Sequence, residues 1–135
     1  MIQDLLPHRA PMLLIDAVTA VDAQGGLGRV RLDPAAWYAD GDGATPAWIG
    51  VEFMAQTIAA CRGQWQRAAG GPARGGYLVA VRNFRSTVAA FPAGAELEIR
   101  VRLLDADPSG LCAFECAILH LGRALAQATL KVMER

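Results

Sequence analysis

The sequence carries no net charge: thirteen basic residues cancel thirteen acidic ones over 135 residues. A balanced chain has no field with which to hold a polyanion or to pin itself to an anionic membrane, so nucleic-acid and membrane-surface roles are set aside. Cysteine is scarce and odd in number, with Cys61, Cys112 and Cys116 and no CxxC pair. A disulfide framework or a zinc site is not expected, and the three thiols read as reduced core residues. Long apolar runs are missing too: Asp4 precedes the first, and the longest, from Pro11, is cut at Asp16. Neither a secretory signal nor a membrane span is read here, and a cytoplasmic protein is expected. The chain has no GxSxG, no Gly-rich phosphate loop and no metal-ligand cluster. The sequence thus gives no sign of a serine hydrolase, a nucleotide enzyme or a metalloenzyme, and no metal or cofactor is expected.

Two further absences are local. No Asp or Glu stands from Phe53 to Ala95, where Arg62, Arg67, Arg74, Arg82 and Arg85 do, whereas the first 52 residues hold seven acids against three arginines. The acid-free stretch suits an anionic partner or an ordinary solvated surface, and on charge alone both stay open. Histidine is absent from Arg9 to Leu119, so chemistry that needs an imidazole must use His8 or His120. His8 lies between Pro7 and Pro11, which restrict the backbone and would hold the ring in place. His120 precedes Leu121-Gly122, where a turn is expected.

What is present is enough apolar material, 53% of residues with 19% charged, for the core of one domain spanning 1–135. Turn signals at Gln24-Gly25-Gly26, Gly41-Asp42-Gly43, Gly70-Gly71-Pro72 and Asp107-Pro108-Ser109-Gly110 divide it. Met12 to Ala23 and Gly28 to Leu32 read as a hairpin, and Trp37 to Trp48 as a long loop. Gly50 to Ala69 is the one strong helix, with Val51, Met54, Ala55, Ile58, Ala59 and Trp65 as its apolar face. Gly76 to Val88, Ala95 to Leu104, Leu111 to Leu119 and Arg123 to Met133 read as four strands; Leu97, Ile99, Val101 and Leu103 alternate with charged neighbours. A hairpin, a long helix and four consecutive strands make an α+β chain, one central helix wrapped by a curled antiparallel sheet of about six strands. That is the hotdog arrangement.

Glu52 is the most informative position, a carboxylate in the first turn of a helix that must be buried. There the peptide dipole favours an anion, and free backbone N–H groups near Gly50 could cradle a developing oxyanion. A first-turn glutamate also serves simply to support the dipole, so the residues alone leave both roles open.

Leu6-Pro7-His8-Arg9-Ala10-Pro11-Met12-Leu13-Leu14-Ile15-Asp16 and Glu52-Phe53-Met54-Ala55-Gln56 are similar to the LPHRxPxLLxD and ExMAQ segments of the hotdog-fold 3-hydroxyacyl-acyl-carrier-protein dehydratases. The chain resembles most the dehydratase-like branch found in aryl-polyene biosynthesis clusters, which shares the LPH segment. One departure stands out. Housekeeping members carry a histidine in a GHFPG-type loop ahead of the helix glutamate, and this chain has Tyr38 near that place.

The resemblance implies dehydration of a 3-hydroxyacyl thioester, on acyl carrier protein or coenzyme A, to the trans-2-enoyl thioester. His8 would be the base and Glu52 the protonated acid in a dry acyl tunnel, with N–H groups near Gly50 polarising the carbonyl. Tyr38, Trp48 and Gln56, with Gly50, would line the substrate site, and Arg62, Arg67 and Arg85 would dock an acidic carrier. A homodimer is expected, or a pair with a different hotdog chain, with His8 and Glu52 drawn from one subunit or from two. A hotdog thioesterase working through Glu52, and a non-catalytic acyl-binding partner of an active dehydratase, are the alternatives that the missing loop histidine keeps open.

Overall fold

The computed structural model describes every residue except Met1, Pro7, Ala10, Pro11 and Ala73. The expectation that two prolines fix His8 thus lies outside the described residues.

Six strands form one antiparallel sheet: β1 (Ala17–Asp22), β2 (Gly25–Arg31), β4 (Gly76–Ser86), β6 (Glu96–Ala106), β7 (Leu111–His120) and β8 (Arg123–Glu134), in the order β1-β2-β6-β7-β8-β4. The helix α1 (Gly50–Ala68) packs against its concave face. This is the expected hotdog arrangement. A second, two-stranded pair was not anticipated: β3 (Thr45–Pro46) meets β5 (Ala90–Phe91), and a 3₁₀ turn, Ala47–Ile49, runs from β3 directly into α1. Both strands have only two residues, too short for periodicity to register.

Alternation builds the sheet. On β6, Leu97, Ile99 and Val101 are buried, and on β7 so are Cys112, Phe114, Cys116 and Ile118, meeting Phe53, Met54, Ile58 and Cys61 of the helix in one core. The opposite face is charged: Arg29 and Arg31 of β2 both reach Glu96 of β6, at 3.4 and 3.1 Å. Hairpin chemistry sets the register. Leu121 and Gly122 take φ of 53° and 77° between β7 and β8, the positive-φ pair that a tight two-residue turn needs. Between β6 and β7, Asp107 accepts hydrogen bonds from the Ser109 hydroxyl and from the amides of Ser109 and Leu111. The Ser109 hydroxyl, chiefly, holds the Asp107 carboxyl below its ordinary range.

Two expectations are corrected. The strand predicted from Met12 begins at Ala17, because the Leu14 N–H and the Met12 carbonyl are bonded to a helix side chain instead of a neighbouring strand. The buried helix face is Phe53, Met54, Gln56, Thr57, Ile58, Ala60 and Cys61, while Trp65 is exposed and Ala55 and Ala59 are half-buried. Hydrophobicity alone misplaced that face, since Gln56 and Thr57 are buried with their polar atoms satisfied: the Thr57 hydroxyl donates to the Phe53 carbonyl at 2.8 Å.

The helix lies deep on β2 because β2 has almost no side chains where they meet. A Cβ at Gly28 would stand 2.3 Å from Thr57 Oγ1, and one at Gly26 would stand 2.8 Å from Cys61 Sγ. The three thiols are buried and unpaired. Burial pushes Cys61 and Cys116 up to about 12, and burial plus a hydrogen bond to Glu134 pushes Cys112 to about 11. None is a nucleophile at neutral pH. No helix among the described residues is long and apolar enough to cross a membrane.

Gly28→Ala should destabilise the fold by about 1–3 kcal/mol through overpacking against Thr57, read as a lower urea midpoint. Combining it with Thr57→Ala should cost less than the two single changes together. An unchanged midpoint for Gly28→Ala would show that the helix does not sit this deeply.

Candidate active site

The site begins with an amide. Gln56, in the second turn of α1, is 1% exposed and uses its side chain fully in three directions. Its Oε1 accepts from the Leu14 N–H at 2.9 Å, and its Nε2 donates to the Met12 carbonyl at 2.7 Å and to Glu52 Oε1 at 2.9 Å. Glu52 and Gln56 are four apart on a helix and so share one face. The segment ahead of β1 is thereby bound to the helix beside Glu52. Further contacts shape it: Arg9 Nη1 donates to the carbonyls of Leu6 and His8 at 2.8 and 2.7 Å, and the amides of Met12 and Leu13 return to the Arg9 carbonyl. Leu6, Leu14 and Ile15 are buried anchors, and Asp16 Oδ2 accepts the Arg31 N–H at 2.8 Å, closing the segment onto β2.

This folding brings the two expected catalytic residues together within one chain. His8 Nε2 stands 3.7 Å from Glu52 Oε1, with side chains 31% and 39% exposed. The distance is just beyond a hydrogen bond. The other ring nitrogen, Nδ1, is buried and has no partner among the described residues. The imidazole therefore presents Nε2, and only Nε2, to the carboxyl and the space beside it. His120 ends β7 opposite Arg123 and lies outside this site.

From the pair a groove of about 290 Å³ runs along the helix between α1, β4 and β8. His8, Glu52 and Gln56 line its first end, Ala55, Ile58, Ala59, Leu78 and Val132 its apolar middle, and Arg62, Gln66 and Glu134 its far end. Its existence follows from the glycines of β2. A helix drawn close to β2 at one side of a curled sheet leaves room at the other, against the edge strand β4.

The remaining expected site residues divide. Gln56 lines the groove with both of its amide hydrogens already donated. Gly50 is buried at the junction of the 3₁₀ turn and α1, where the backbone N–H groups donate to the carbonyls of Ala47 and Trp48. A carbonyl near Gly50 would meet the field of the helix terminus more than a free pair of donors. Trp48 is 68% exposed and Tyr38 is half-buried, its ring edge-on to Phe53 at 6.1 Å and to Trp37 at 5.4 Å; neither lines the groove. Burial first, then the carboxylates of Asp16 and Asp33, push the Tyr38 phenol above its ordinary value. Tyr38 thus stays a neutral phenol and offers no replacement base at neutral pH. The three arginines form no common surface. Arg62 makes a two-point pair with Glu134 inside the groove, Arg67 lines a different depression near Ile2 and Leu5, and Arg85 is exposed on β4. Glu134 and Gln66 were missed by sequence reasoning, for nothing in the order of residues joins position 134 to position 62.

The sequence model of the ApeP-like family, ApeP dehydratase, matches residues 1–135. No curated protein matches the sequence. Among solved structures, the dehydratase heterocomplex ApeI:P from Xenorhabdus doucetiae superposes with a TM-score of 0.91 at 28% identity, covering 99% of this chain and 90% of that one. A hypothetical thioesterase with coenzyme A from Streptococcus pneumoniae gives 0.69 at 10% identity, with 88% and 84% covered. The phenylacetic acid degradation protein PaaI of Thermus thermophilus, as an N33D mutant, gives 0.66 at 14% identity, with 88% and 92% covered. The last two, at such identities, share the fold alone.

Gln56→Leu should leave the Leu14 N–H and the Met12 carbonyl without their partner, at about 1–3 kcal/mol for each buried group. The Leu14 amide should then exchange faster with deuterium than in the unaltered protein. Unchanged protection at Leu14 would mean that another contact holds the segment.

Proposed function

The chain belongs to the ApeP-like dehydratase family, and from that premise we propose a mechanism in which His8 and Glu52 remove water from a 3-hydroxyacyl thioester in aryl-polyene biosynthesis. The observation that carries it is the 3.7 Å approach of His8 Nε2 to Glu52 Oε1 at the mouth of an acyl-sized groove. The neutral imidazole takes the α-proton at Nε2. The protonated Glu52 gives its proton to the departing 3-hydroxyl, which leaves as water, and the electron pair of the broken C–H bond becomes the C2–C3 double bond. Imidazolium and carboxylate then face each other, and one proton passing between them restores both. The field at the N-terminus of α1 favours the negative charge that builds on the thioester oxygen. None of these steps calls for a metal or cofactor.

The acid needs more cover than this chain gives it, since the Glu52 side chain is 39% exposed. A second hotdog subunit, docked on the edge strand β4, would supply that cover. Tyr77, Leu78, Val79 and Val81 stand exposed along this edge, and an apolar unpaired edge is a liability in a lone chain. The solved relative is a dehydratase heterocomplex, which favours a pair of unlike hotdog chains here over the homodimer expected from the sequence. The substrate is read as carried on an acyl carrier protein, with Arg67 and Arg85 as its exposed cationic contacts. Arg62 leaves that set, because Glu134 neutralises it. The approach of His8 to Glu52 supports the enzymatic reading over the non-catalytic one, and the thioesterase likeness is one of fold.

Glu52→Gln should slow formation of the enoyl thioester by on the order of 10²–10⁴-fold while leaving the melting temperature unchanged, since the amide keeps the shape and removes the acid. His8→Ala should lower the rate by on the order of 10²-fold or more. Both are read by mass spectrometry of the carrier-bound product in the presence of the partner subunit. Activity within a few-fold of the unaltered protein for Glu52→Gln would remove it from the chemistry.

A further inference from the structure

The far end of the groove is polar, and its hydrogen bonds can be counted. Glu134 accepts from Arg62 Nε at 3.2 Å, Arg62 Nη2 at 3.1 Å, Gln66 Nε2 at 3.1 Å and the Cys112 thiol at 3.3 Å. A carboxylate has about four lone-pair sites, so Glu134 is saturated. Arg62 has five N–H donors; two go to Glu134 and one, from Nη1, to the Ala23 carbonyl at 3.1 Å. Gln66 has given one of its two amide hydrogens to Glu134, and its Oε1 accepts from the Arg74 N–H at 2.8 Å. What remains beside the groove is a surplus of donors, two on Arg62 and one on Gln66.

Resting on the dehydratase reading above, we propose that Arg62 and Gln66 recognise an acceptor oxygen at the distal end of the acyl chain. The enzyme would then prefer chains that end in a hydroxyl or carbonyl oxygen to those that end in a methyl group. Position supports this. Arg62 is ten residues beyond Glu52, about 15 Å along the helix at 1.5 Å per residue, and the wall between them is mostly apolar, with Tyr77 and Gln56 as its polar side chains and both amide hydrogens of Gln56 already donated. A chain with its reacting carbons at Glu52 lays its methylene groups on Ala55, Ala59 and Leu78 and delivers its end to the donors. Charge decides between an oxygen of this kind and the phosphate of a pantetheine arm. Glu134 cancels the Arg62 charge at 3.1 Å and would repel a phosphate dianion, whereas a neutral oxygen meets only donors. A methyl end would instead displace water from these donors and give them no acceptor in exchange.

The test is binding, independent of turnover. Calorimetry on the complete assembly, with its partner subunit, compares 8-hydroxyoctanoyl, 10-hydroxydecanoyl and 12-hydroxydodecanoyl pantetheine with their methyl-ended counterparts; without a 3-hydroxyl, none can be dehydrated. At the best-fitting length the hydroxyl-ended ligand should bind about tenfold more tightly. The preference should vanish in Gln66→Leu combined with Arg62→Met and Glu134→Leu, which removes the ion pair as a unit and leaves no buried charge alone. Should that variant not give a normal melting transition, Gln66→Leu alone should reduce the preference. Equal affinities at every length in the unaltered protein would overturn the proposal. So would Arg62-dependent affinity for the 4′-phosphate of phosphopantetheine with no preference among chain ends. The dehydratase reading is tested apart from this by 3-hydroxybutyryl thioester, too short to reach Arg62.

Discussion

A single buried amide determines the geometry of the site. Gln56 lies on the helix, yet two of its three hydrogen bonds go to the backbone of the segment ahead of β1. They replace the ladder that would otherwise have drawn Met12 and Leu14 into a strand. With that segment bent over the helix, His8 reaches Glu52, and the third hydrogen bond steadies the carboxylate itself. Leaving such a buried amide half-bonded would be costly, so the bonds form together or not at all. In the proposed mechanism His8 takes the part of the loop histidine that housekeeping dehydratases carry near the position of Tyr38. The proposed base lies in the N-terminal segment, and Glu52 stands in the first turn of the helix.

The groove has a separate cause. Gly26 and Gly28 let Thr57 and Cys61 come close to β2, and what the helix gains there it leaves open at β4. The same strand is an exposed apolar edge of the sheet, so the surface proposed to take a partner subunit is also a wall of the groove. On the proposed pairing, cover for Glu52 and closure of the acyl path would arrive in one event through β4.

Much of this was legible in the sequence. The helix bounds were off by one residue, and β6 showed its alternation plainly, since a half-buried strand writes its two faces in order. Glu52 was legible because a first-turn carboxylate in a central helix is unusual enough to need a reason. Gln56 was named for the substrate site and does line the groove, but its hydrogen bonds to residues forty-two and forty-four positions away could not be read from the sequence. Arg62 was grouped with Arg67 and Arg85 for its charge alone, and the partner that cancels it, Glu134, lies seventy-two residues on. Hydrophobic periodicity likewise put Trp65 on the buried face, because periodicity has no way to weigh a buried Gln56 or Thr57.

The central claim is that His8 and Glu52 of one chain act as a unit, and a double-mutant cycle on dehydration rate tests it most directly. The rate of enoyl thioester formation would be measured for His8→Ala, Glu52→Gln and the chain carrying both. Residues that share one proton circuit are grossly non-additive, so the double variant should be scarcely slower than the slower single one. Losses that multiply, each change acting as though the other residue were intact, would contradict the account.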